Sequence, residues 1–128
     1  MKQLRVWLLA LALASLSAAQ DMSKMTTYAL VFLKKGPNWT AQDSPEVRRI
    51  QQGHLGHLVR MTKEGKMLVA GPFTDGNDPL GICVYVTSVE EARRLAEEDP
   101  AVKAGRVAVE VRPWMAAKGI VVPDWTGK

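Results

Sequence analysis

Residues 80–100 read Leu80-Gly81-Ile82-Cys83-Val84-Tyr85-Val86-Thr87-Ser88-Val89-Glu90-Glu91-Ala92-Arg93-Arg94-Leu95-Ala96-Glu97-Glu98-Asp99-Pro100. They carry a strand straight into a helix. Leu80 to Thr87 is apolar and rich in β-formers, so it reads as a strand. Ser88 followed by Glu91 is a capping box, with the serine hydroxyl as N-cap and the acid three residues on. The helix that follows stops at Asp99-Pro100, because a residue before proline avoids helical angles.

The same reading extends outward. Lys66 to Ala70 is a strand ended by Gly71-Pro72, and Phe73 to Pro79 is dense in turn residues. Upstream, Ser44-Pro45-Glu46 starts a helix with a hydroxyl cap, proline at the first position and an acid in the first turn. That helix runs to about Glu64 and stops at Gly65. Thr27 to Leu33 is a first strand, and Asn38 to Asp43 a loop carrying Trp39. Downstream, Ala101 to Gly105 is a short helical turn, and Val107 to Arg112 a last strand that Pro113 is expected to stop. The order βαββαβ is the ferredoxin-like pattern, an α+β fold with both helices on one face of an antiparallel sheet. The domain is expected over residues 26–114, with residues 115–128 as a C-terminal tail.

The chain has 128 residues, 47% hydrophobic and 23% charged, the balance of one globular domain. A single cysteine excludes an internal disulfide framework and any multi-cysteine zinc site. Residues 1–19 read as a secretory leader. Lys2 and Arg5 are its basic start, Val6 to Leu16 an apolar stretch too short to span a bilayer, and Ser17-Ala18-Ala19 the small residues of a cleavage site. The expectation is export to the periplasm or beyond, with a mature chain that starts near Gln20 and holds no membrane segment. N-terminal sequencing of the exported protein reads this directly: a start at Met1 in soluble protein would defeat it. Without the leader the charge is 15 basic against 13 acidic residues. So small an excess, with no basic cluster among aromatics, makes no case for nucleic acid.

Tyr28 to Leu33 and Ile82 to Val86 are apolar at every position, and in this topology they are the two central strands. A sheet with one wet face alternates instead, as Val107 to Arg112 does. The expectation is a homodimer with the two sheets packed face to face. The alternative is a tail whose Ile120-Val121-Val122 and Trp125 fold back over that face.

On a helical wheel Val47, Ile50, Leu58 and Met61 share one stripe, His54 lies in its middle and His57 at its edge. An imidazole on a core-facing stripe needs a partner or a pocket, the plain reading being a buried ring bonded to backbone. In the second helix Asp99 continues the stripe of Ala92, Leu95 and Ala96. It can cap the turn that begins at Pro100. Consecutive helices of this topology run antiparallel. His54 lies ten residues before Glu64 and Asp99 ten after Val89, so at about 1.5 Å per residue they stand level. Asp99 would then orient the His54 ring and select its tautomer. No thiolate clusters with the pair His54-x-x-His57, whose rings point about 60° apart on the wheel, which argues against zinc, and Cys83 in a central strand reads as core. Trp39, Phe73 and Trp114 are candidates to line a small-molecule pocket. No P-loop, dinucleotide fingerprint or nucleophile elbow is present, and no cofactor is expected.

Tyr28 to Trp114 resembles the YCII-related (YciI-like) family. The matching pieces are His54-Leu55, Glu64-Gly65-Lys66, Ala70-Gly71-Pro72, Ser88-Val89-Glu90-Glu91-Ala92, Asp99-Pro100 and Arg112-Pro113-Trp114. The resemblance implies a dimeric α/β barrel with a His–Asp active-site pair at His54 and Asp99. It also implies elimination or isomerisation chemistry on small, often aromatic, molecules. Two other functions compete: a noncatalytic ligand-binding or interaction module, and haem binding with His57 or His54 as axial ligand.

Overall fold

The computed structural model describes residues 21–121. The expected leader, and Val122 and Trp125 of the tail, lie outside them. After a 3-10 turn at Met22–Lys24 come β1 (Met25–Lys35), α1 (Pro45–Lys63), β2 (Met67–Pro72), β3 (Gly81–Tyr85), α2 (Val89–Glu97), a single-turn α3 (Pro100–Lys103) and β4 (Val107–Ala117). The antiparallel sheet has the order β2-β3-β1-β4, so β1 and β3 are central. The expected α+β, ferredoxin-like arrangement is the one observed.

The helix ends follow local chemistry. Ser44 Oγ accepts the Val47 N–H at 3.1 Å, and Pro45 opens α1. At the far end Lys66 N–H reaches the Met61 carbonyl while Gly65 turns at φ 69°, a Schellman stop that a side chain would strain. Ser88 Oγ caps α2 through the Glu91 N–H. The other half of the expected box does not form: the Glu91 carboxylate is taken by Arg94, which also bridges to Glu98.

The sheet faces differ. Ala29, Val31, Cys83, Tyr85, Met67 and Val111 join Met61, Ala92, Leu95 and Ala96 in a core beneath the helices. On the other face Tyr28, Val84 and Ala116 form a smaller cluster with Leu30 and Leu68, to which no helix contributes. Ile120 and Val121 do not cover it; Val121 is 75% exposed.

One boundary needs correction. β4 does not stop at Pro113 but runs through it to Ala117, pairing with β1 from Met25↔Ala117 to Lys35↔Val107. β4 is an edge strand, where a missing N–H on the outer side costs no ladder bond. The extension continues the strand past residue 114.

Candidate active site

The site forms where α1 meets the turn between α2 and α3. Asp99 is the N-cap of α3, and its Oδ1 accepts the Ala101 N–H at 2.8 Å. Capping leaves Oδ2 free to face α1, where it lies 2.6 Å from His54 Nδ1. Both side chains are largely enclosed, His54 keeping 12% of its surface and Asp99 4%. A carboxylate only accepts, so Nδ1 carries the proton and donates. Nε2 is then the ring's free lone pair, and it makes no hydrogen bond to the described residues. The pair supplies an oriented base with its acceptor atom unoccupied.

His57 is more deeply buried than the wheel suggested. It is 2% exposed, at the centre of the buried stripe rather than its edge. Arg60 Nη2 donates to its Nδ1 at 3.1 Å, which puts the His57 proton on Nε2. That Nε2 is buried without a partner. Burial holds the His57 pKa below the ordinary imidazole range; the Asp99 charge opposes this, while Arg60 and His54 reinforce it. A ring so enclosed offers no open face to a haem, so His57 does not fit the axial-ligand role. The two histidines, one turn apart, hold opposite tautomers.

Two further polar groups lie under the Asp99 charge. Burial, and then Asp99, push the Cys83 thiol up to about 12, so it stays a neutral core group as expected from its strand position. Burial raises the Tyr85 phenol as well, with Cys83 and Asp99 adding to it. Tyr85 was not among the expected site residues. Its only signal in the sequence is its place two residues from Cys83 on one strand, which puts both on the same face.

The three aromatic candidates sit elsewhere. Trp39, in the β1–α1 loop, stacks under Lys35 Nζ at 4.3 Å. Gly36 seats that loop, since a Cβ there would lie 2.3 Å from the Gly105 carbonyl oxygen. Phe73, 44% exposed, borders an open groove with Val69, Pro72 and Ile82. Trp114 lies opposite Tyr28, ring centroids 5.9 Å apart, on the helix-free face. Within one chain the sheet therefore separates Trp114 from the His54–Asp99 pair. Among the described residues no group of three or more His, Cys, Asp or Glu could hold a metal ion. No helix among them is long and apolar enough to cross a membrane.

No curated protein matches the chain. Among solved structures it is similar to the 5-chloro-2-hydroxyhydroquinone dehydrochlorinase TftG from Burkholderia phenoliruptrix AC1100, in complex with 2,5-dihydroxybenzoquinone. The two are 27% identical over 68% of this chain and 92% of that one, with a TM-score of 0.50. Residues 27–115 match the YCII-related domain, which takes in all four strands except the outer ends of β1 and β4, both long helices and the His54–Asp99 pair. The chain belongs to the YCII-related family.

Proposed function

We propose that this protein is an exported acid–base enzyme acting on a small, oxygenated aromatic molecule, with His54 as the base and Asp99 as its orienting partner. The observation that carries the reading is the 2.6 Å contact between His54 Nδ1 and Asp99 Oδ2. It fixes the tautomer that leaves Nε2 free to take a proton, and the carboxylate steadies the positive ring that results. The similarity to a dehydrochlorinase suggests the reaction type, an elimination. In that step Nε2 takes a proton from the substrate. The electron pair it leaves becomes a new π bond, and chloride departs with the carbon–chlorine pair. The proton then passes from Nε2 to solvent, so HCl is lost overall and no electrons are gained or lost by the protein.

The working unit in this reading is a homodimer joined through the helix-free sheet face. Leu30, Phe32 and Ile82 are only half-buried there, and Val69, Val86 and Trp114 are exposed. A continuous apolar area of this kind marks an association surface. The Lys34–Glu110 ion pair and Arg112 lie along the β4 side of it, as a polar rim would.

The base assignment is tested by nitrogen-15 NMR of the imidazoles. Wild-type His54 should show the Nδ1–H form and His57 the Nε2–H form. Asp99→Ala should release His54 to the Nε2–H form and leave the His57 tautomer unchanged, since Arg60 sets it. A wild-type His54 already in the Nε2–H form would remove the base from its assigned atom, and the reading with it.

A further inference from the structure

We infer that Gly53 is a positioning residue of the site, and that its contact with Pro100 sets the distance between His54 and Asp99. The inference rests on the base reading above. Gly53 and Pro100 are the immediate chain neighbours of His54 and Asp99, so the two contacts sit side by side across the α1–α3 approach. A Cβ at Gly53 would lie 3.1 Å from both Cβ and Cγ of the Pro100 ring. That is closer than such carbons normally approach, so one helix must move by a few tenths of an ångström.

Pro100 cannot give way alone. Its ring is stiff, it opens α3, and the residue before it is tied to Ala101 by the Asp99 cap. Movement of Pro100 therefore carries Asp99 with it, away from a ring that it now meets at 2.6 Å. Glycine is a poor residue for the interior of a helix. Here it sits where α1 must let a proline ring come close. Gly56, three residues on in the same helix, makes the contrast: a Cβ there would meet nothing within 4 Å. Alanine at either position gains the same helical propensity, so only the Pro100 contact separates the two variants.

The experiment measures exchange of the His54 Nδ1 proton in the full mature chain, with the amide spectrum as a check of folding. Gly56→Ala should leave the exchange rate as in wild type. Gly53→Ala should raise it about tenfold or more, as weakening a charge-assisted hydrogen bond entails. Its amide spectrum should stay well dispersed. A folded Gly53→Ala with wild-type exchange overturns the inference. If Gly53→Ala does not fold, the double variant Gly53→Ala/Pro100→Gly, in which the ring is gone, should fold again; failure of that rescue also overturns it. Unprotected Nδ1 exchange in the wild type would instead defeat the base reading, whereas protection in both wild type and Gly53→Ala defeats the spacer alone.

Discussion

Val31→Asp is expected to unfold the chain, and Leu30→Asp, one residue away, to leave it folded but monomeric. Val31 is fully buried in the central strand β1, lies opposite Cys83 of β3 and Val111 of β4, and faces the helices. Among the described residues no lysine or arginine is buried, so a carboxylate there would be a buried charge without a cationic partner. Such a substitution costs about 4–5 kcal/mol or more. A domain of this size holds roughly 5–15 kcal/mol in all, so little native protein should remain. Leu30 points the other way, between Val84 and Arg112. It is half-buried, and an aspartate there can reach water and the Arg112 guanidinium. The chain should keep its helical circular dichroism while light scattering shows half the wild-type mass. Wild-type protein that is monomeric at micromolar concentration would sink the dimer, and a folded Val31→Asp would mean the core has been placed on the wrong face.

That contrast marks a limit of the sequence. Strands apolar at every position announce that both faces are covered, but their period of two is silent, so nothing in Tyr28 to Leu33 says which residues meet the helices. Cys83 and Tyr85 escaped notice near Asp99 for that reason. The order of elements was legible because each helix carries its own start and stop: Ser44-Pro45 and Gly65 for α1, Ser88 and Asp99-Pro100 for α2 and the turn after it. The level placement of His54 and Asp99 followed from helix lengths and antiparallel packing, and the structure sets them in contact. His57 did not follow. A wheel drawn at a constant 100° per residue assumes a straight seam, whereas a helix on a twisted sheet meets it along a drifting line. Near its C-terminal end α1 therefore buries His57 and Met61 and leaves Leu58 only half-buried. For Trp114 the reason is a third one: a strand ended at Pro113 leaves it just past the strand end, while the edge strand that is present runs on through it and sets it on the helix-free face.

Loss of the His54 imidazole should have the largest effect on turnover. The assay is chloride release from 5-chloro-2-hydroxyhydroquinone, the substrate in the name of the similar dehydrochlorinase. A positioned general base contributes about 10²–10⁴-fold to rate. His54→Ala should lose that factor in kcat while KM changes little, because the proton moves only on the way to the transition state. Asp99→Asn keeps the shape of the partner but not its charge, and its amide can donate as well as accept, so it no longer dictates Nδ1–H. Its kcat should fall too, by less than that of His54→Ala, because part of the ring population still presents a free Nε2. Leu55→Ala, at an exposed position beside His54, serves as the control and should match wild type. His57 is no such control, since removing a ring buried beside Asp99 would disturb packing as well as charge. A wild type that releases chloride, with His54→Ala within about threefold of it, would show that the ring is not the base. A wild type that releases none would remove this substrate, and the tautomer of His54 would then decide whether the acid–base reading survives without it.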